Sequence, residues 1–186
     1  MSRVRYAWRR TRRPRRRRTE GEIVDDGGTP KSLCILCRIG ASICAVPIEH
    51  VSETMRPLPV EPLAGTPPFV LGVAVLRGAP TPVVDGAMLL GAGSATEGRF
   101  LAIRIGERRA LIAVDAVLGV RALSLEEIRA LPPLLRGPGL EAVDGMGSLD
   151  GDLLVVLGAA RVIPESVWAS LERVGASVGS TVGASA

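Results

Sequence analysis

Hydrophobic positions in this chain fall in short, nearly unbroken runs separated by turn-forming residues. Runs of that length, rich in Val, Ile and Leu and bounded by Gly or Pro, read as strands. Leu33 to Ile39 and Ile43 to Ile48 flank Gly40-Ala41-Ser42 and predict a hairpin. Phe69 to Leu76 and Thr81 to Val84 form a second pair around Arg77-Gly78, followed by a Pro-marked turn. Phe100 to Ile105 and Ala110 to Val114 form a third, turning at Gly106 to Arg109. Val117 to Leu123 adds a strand, and Val143 to Ser148 with Leu153 to Leu157 closes on Asp150-Gly151, a favoured hairpin dipeptide. Two helices are predicted. Ser124-Leu125-Glu126-Glu127 resembles a capping box, and Pro164 to Leu171 puts Val167, Trp168 and Leu171 on one face. Many short strands with few helices predict an all-β barrel or sandwich. The strands fall into two groups, before and after Gly91 to Gly98, which two packed small barrels would satisfy.

Composition refines this picture. Only 3% of residues are aromatic although 47% are hydrophobic, so the core must be aliphatic. The net charge of +4 conceals a division, because residues 1–18 hold ten arginines and no acid. The rest of the chain is mildly acidic, with 13 basic residues against 19 acidic. Residues 1–31 therefore read as a disordered Arg-rich tail and an acidic, Gly-containing linker. Residues 32–174 read as the folded domain and 175–186 as a flexible C-terminal tail. No apolar run reaches the roughly 18–20 residues of a membrane span, and the Arg block lacks the apolar stretch of a signal peptide. Three cysteines, an odd number with no secretory signal, suit a reducing cytoplasm.

Candidate chemistry centres on Arg77. Gly78 supplies a positive φ, and Pro80 and Pro82 stiffen the segment after it, so the cation sits at a strand end on a rigid support. Such a residue either recognises a partner or pairs with a carboxylate, for which Asp85 across the hairpin is a candidate. Glu53 by itself reads as a solvated charge on an edge strand, and Asp115 as a turn residue accepting backbone N–H groups. Cys34, Cys37, Cys44 and His50 could in number make a zinc site. However, Cys34 and Cys37 lie in an apolar strand, where residues three apart point to opposite faces, so buried small hydrophobes are the better reading. Enzyme chemistry finds little support: His50 is the only histidine, and there is no nucleophile elbow, P-loop or dinucleotide fingerprint. No cofactor or metal is expected.

In order along the chain, these segments resemble the CheW-like chemotaxis coupling proteins. The likeness covers about residues 32–163. Its strongest element is Gly72-Val73, an apolar pair, Leu76-Arg77-Gly78 and Pro82-Val83-Val84-Asp85. Ala45 to Ile48 before Val51-Ser52-Glu53, Leu58-Pro59, Pro67 to Gly72, Ala113 to Val117 and Gly145 to Val156 support it. The resemblance implies two small five-stranded, SH3-like barrels around a shared core, with short helices and a C-terminal helix. It implies a non-catalytic, cytoplasmic adaptor without a small-molecule substrate. Such an adaptor joins the cytoplasmic tips of membrane-bound chemoreceptors to the regulatory domain of a CheA-type histidine kinase. Glu53 and Arg77 fall on positions the family uses for partner contacts; Val51, Val75, Leu76 and Gly78 accompany them, while Gly72, Pro82, Asp85 and Asp115 serve as turn and motif residues. Four positions depart from the pattern. Gly86 replaces a bulky aliphatic, so the strand-to-helix joint is expected to be looser; Val75 replaces Asn; and Cys37 and Cys44 replace rings whose volume must be supplied elsewhere.

The Arg-rich tail has three readings: a solvated extension, sequence upstream of a misassigned start, or a charge-driven contact with nucleic acid or anionic lipid. Tyr6 and Trp8 could stack on bases, making a nucleic-acid-binding small-barrel protein the main alternative to an adaptor. The acidic folded part would repel phosphate, which weighs against it.

Overall fold

A computed structural model describes residues 22–24, 30–94, 98–124, 128–131, 141–165 and 167–169. Twelve strands and the short helix Gly86–Leu89 lie among them, with 3-10 turns at Ile48–His50 and Ala159–Arg161 and helical residues at 165 and 167–169. The strands and this helix are β1 Glu22–Val24, β2 Pro30–Ile39, β3 Ser42–Pro47, β4 Val51–Met55, β5 Val70–Leu76, β6 Ala79–Asp85, α1 Gly86–Leu89, β7 Arg99–Ile105, β8 Arg108–Val114, β9 Ala116–Ser124, β10 Arg129–Ala130, β11 Val143–Leu149 and β12 Asp152–Leu157. They make two small barrels. One runs β9-β2-β3-β12-β11, with short β1 and β10 added beside β2 and β11; the other runs β4-β7-β8-β6-β5.

The two barrels share a pairing scheme. Along each five-strand order the pairs are antiparallel, antiparallel, parallel and antiparallel, the parallel pairs being β3 with β12 and β8 with β6. The connectivity differs from the sequence expectation. The chain lays down β2 and β3, completes the entire second barrel from β4 to β8, then returns to finish the first with β9, β11 and β12. Gly91 to Gly98 thus links strands of one barrel and does not divide the two. Periodicity identifies strands but not their partners, so the sequence alone puts the division in the wrong place.

Both faces of the central strands are buried, which explains the unbroken apolar runs. Alternate residues sort into different cores. Cys34, Leu36, Ile43, Ala45, Leu154 and Val156 fill the first barrel. Ala74, Val83, Phe100, Ala102, Leu111 and Ala113 fill the second. The residues between them (Cys37, Ile39, Cys44, Val46, Leu101, Ile103, Ile112, Val114, Val155 and Leu157) form a third core joining the barrels. Val162, Ile163, Val167 and Trp168 complete it from the C-terminal side. Trp168 thus brings a large ring into the core that holds Cys37 and Cys44.

Several expectations are revised at the residue level. The acidic linker does not lie wholly outside the fold, because Glu22–Val24 pairs with Pro30, Lys31 and Ser32. The prolines of the second hairpin are not in its turn: Pro80 and Pro82 sit inside β6, opposite Val75 and Val73. Parallel pairing to β8 begins only at Val83, so the missing N–H groups fall before the strand acquires its second partner. Gly86 does not loosen the joint. A Cβ there would lie 2.7 Å from the Ala113 carbonyl oxygen and 2.8 Å from Ile39 Cδ1, so the helix start packs where an aliphatic side chain has no room. The capping-box residues 125–127 lie outside the described residues, and Ser124 ends β9. Residues 165 and 167–169 are helical as expected, with Val167 and Trp168 buried; Leu171 lies outside the described residues, as do residues 1–21 and 170–186.

Candidate functional site

Arg77 and Gly78 form the β5–β6 turn, with φ of 50° and 80°. Positive φ at both central residues gives a turn whose twist matches that of its flanking strands. Arg77 departs from the usual Asn or Asp there, and its side chain shows why it is placed so. Its Nε donates to Glu53 Oε1 and its Nη2 to Glu53 Oε2, both at 2.9 Å. Glu53 is on β4 and Arg77 directly follows β5, the two outermost strands of the second barrel's order. The bidentate pair therefore clasps the barrel across its seam. The Arg77 hydrogen bonds hold the Glu53 carboxyl below its ordinary value of 4.5, and Glu53 reciprocally raises the guanidinium. Arg77 remains 68% exposed, so a partner can reach the pair.

The alternative of an Arg77–Asp85 pairing does not hold. Asp85 is 1% exposed and caps α1: its Oδ1 accepts from the N–H groups of Ala87 (2.8 Å) and Met88 (3.1 Å), and its Oδ2 from Ser94 Oγ (3.0 Å). An N-cap aspartate satisfies donors that a helix start otherwise leaves unpaired. Asp115 fits its turn reading. Its Oδ2 accepts from the Gly40 N–H at 2.6 Å, and its own N–H donates to the Arg38 carbonyl at 2.9 Å. It is also the single residue between β8 of one barrel and β9 of the other, so these bonds fix the barrels' junction.

The remaining predicted residues separate. Val75 is 68% exposed beside the clasp; Gly78 is exposed and Val51 half-buried. Leu76 is only 5% exposed and belongs to the second barrel's interior, so it offers no surface to a partner. Gly72 has a structural role. At φ 142° it lets residue 61 approach so closely that a Cβ would lie 2.1 Å from the Glu61 carbonyl oxygen. Glu61 and Val73 exchange two backbone hydrogen bonds of 2.9 Å at this point.

The cysteines are core residues. Cys34 faces the first barrel while Cys37 and Cys44, directly opposite each other across β2 and β3, face the shared core. Burial pushes the Cys34 thiol up to about 11 and Cys44 up to about 12, and raises Cys37 further. No cluster of three metal-ligating side chains occurs among the described residues.

Sequence reasoning missed a second exposed feature. Residues 118–122 of β9 are all exposed, including Leu118 at 47% and Val120 at 57%. Among the described residues β9 pairs only with β2, leaving its other edge open. Val120 lies opposite Ile35, and Ile35, Val117 and Val51 are half-buried at the rim of the shared core. The run Val117 to Leu123 carries little signal of this, since an apolar strand interrupted in charge only at Arg121 reads as buried.

A family model for the CheW-like domain matches residues 33–167. Protein FrzA of Myxococcus xanthus is 36% identical over 103 residues, which span 54% of this chain and 63% of FrzA, just under two thirds of its length. Chemotaxis protein CheW of Klebsiella aerogenes is 25% identical over 146 residues, covering 77% of this chain and 88% of that protein. Among solved structures, the scaffolding protein TtCheW of Thermoanaerobacter tengcongensis superposes with a TM-score of 0.63 at 21% identity. That match covers 71% of this chain and 92% of TtCheW, and it supports the two-barrel fold.

Proposed function

This chain belongs to the CheW-like domain family, and from that premise we propose that it is a non-catalytic adaptor in chemotaxis-type signalling. It couples the cytoplasmic tip of a chemoreceptor to the regulatory domain of a histidine kinase by holding both in geometry, with no bond made or broken. Its place is then in the cytoplasm beside receptor arrays. The observation carrying this reading is the Glu53–Arg77 clasp: a charge-assisted, bidentate pair displayed on a rigid hairpin next to the exposed Val75. Polar groups so fixed give register, while neighbouring apolar area gives affinity.

An adaptor needs a surface for each of two partners. The clasp with Val75, Gly78 and Val51 supplies one, and the apolar strip Leu118–Val120 on β9 supplies the other. Co-purification with a cognate kinase regulatory domain and a receptor tip fragment tests the function. Binding to both supports it; binding to neither refutes it. The Arg-rich residues 1–18 on which the nucleic-acid alternative rests lie outside the described residues, and among the described residues no helix is long and apolar enough to cross a membrane.

A further inference from the structure

Two further arginines face each other at the end of the second barrel that carries the clasp. Arg104, near the end of β7, lies directly opposite Arg109, near the start of β8, and the register between these strands is unbroken. In the strand order, β7 and β8 lie between β4, which holds Glu53, and the β6–β5 hairpin, whose turn holds Arg77. β6 runs parallel to β8, while β7 is antiparallel to both β4 and β8. The start of β4, the end of β7, the start of β8 and the β5–β6 turn therefore share one end of the barrel. Side chains alternate along a strand, so Arg104 shares a face with Ala102 and Arg109 with Leu111, both in the barrel's interior. The two guanidiniums thus rim the mouth of the barrel beside the clasp. After the Arg77 hydrogen bonds, the charge of Arg109 also lowers the Glu53 carboxyl, in keeping with that position.

Like charges directly opposite each other across a strand pair oppose folding. Both arginines are exposed, and among the described residues neither side chain makes a hydrogen bond or ion pair. Glu53 is already engaged by Arg77, and Glu107, exposed on the turn between the two arginines, pairs with neither. Outside residues 1–18 the chain is acidic, with 13 basic residues against 19 acidic, so this rim departs from its surroundings. We propose that Arg104 and Arg109 are specificity-determining residues of the clasp face: they select a partner protein whose surface opposite them is acidic, and that partner is the one that docks on Glu53–Arg77. This rests on the reading of the clasp as a docking site. Guanidinium forks match carboxylates, and charges at the rim of an interface act on association rate and on the choice of partner.

The test uses the full chain, titrated with a cognate kinase regulatory domain and, separately, a receptor tip fragment. Arg77→Ala identifies the partner that uses the clasp. For that partner, R104E/R109E should lower affinity at least about tenfold and slow association, and Arg104→Gln and Arg109→Gln should each weaken binding about threefold. Wild-type association should slow as salt is raised, and the double variant should flatten that dependence. The two Gln variants should melt no lower than wild type, because each relieves a like-charge pair. Unchanged affinity and salt dependence in R104E/R109E, with Arg77→Ala impaired, overturns the proposal alone. So does a loss confined to the partner that Arg77→Ala still binds, and so do Gln variants that lose binding only by melting well below wild type. If wild type binds a DNA duplex, and the double variant loses that binding while sparing both proteins, the face belongs to nucleic acid and the proposal falls. Normal binding of both partners by Arg77→Ala overturns instead the reading of the clasp, and this proposal with it.

Discussion

Glu53 and Arg77 tie β4 to the β5–β6 turn, and the proposed function places the same pair at a docking face. A carboxyl held below its ordinary value contributes its stabilisation above that value and loses it as pH falls through the lowered folded one. The clasp is therefore intact at neutral pH, and its contribution fades only in acid below about 4.5. Glu53→Gln should bind partners more weakly at pH 7 and flatten the acid dependence of affinity, read by titration at a series of pH values. Asp85→Ala removes the cap of α1 and should cost about 1–2 kcal/mol in denaturant unfolding while leaving the exposed Arg77 and Val75 in place. The three thiols should stay unreactive toward a disulfide reagent in the native protein and react on unfolding, since all are buried and raised well above their ordinary 9.0. Arg77 is legible from the sequence because Gly78 and two prolines frame it. Its partner is not, because Glu53 lies 24 residues away and no local pattern links β4 to the β5–β6 turn. Asp85 is the nearer carboxylate in sequence, but an N-cap reading of Asp85 before Gly86 removes it from contention.

At the scale of elements, the hairpins are legible wherever a turn dipeptide lies between apolar runs. Asp150-Gly151 and Arg77-Gly78 both turn where the sequence puts them. The short strand β4 is harder: it carries three consecutive polar residues between Val51 and Met55 and so lacks the alternation that marks a half-buried strand, and only the family motif draws attention to it. Gly72 shows a demand that only the folded structure reveals, since the segment touching it lies eleven residues away without secondary-structure signal of its own. Gly72→Ala should destabilise the domain by about 1–3 kcal/mol, measured by chemical denaturation, because the strained φ and the Glu61 carbonyl both oppose a side chain.

At the scale of the whole molecule, the strand order explains why the two barrels act as one body. The second barrel is inserted between two halves of the first, and the core joining them draws residues from both. Unfolding should be a single calorimetric transition, not one per barrel. Trp168→Ala, which removes the largest ring from that shared core, should cost about 3–5 kcal/mol and lower the one transition as a whole. A chelator should leave the melting temperature unchanged, because Cys34 and Cys37 are packed as hydrophobes on opposite faces of β2 and Cys44 of β3 lies beside Cys37 in the shared core. The insertion of one barrel into the other is invisible in the sequence, since pairing partners are fixed by packing and not by periodicity.

The central claim is that the Glu53–Arg77 face docks a signalling partner. The most direct measurement is the affinity of the full chain for a cognate kinase regulatory domain and for a receptor tip fragment, compared between wild type and Arg77→Ala at matched melting temperature. At least one of the two affinities should fall by about tenfold, as for an arginine at the centre of an interface. Unchanged affinity for both partners in a folded Arg77→Ala protein would contradict the claim.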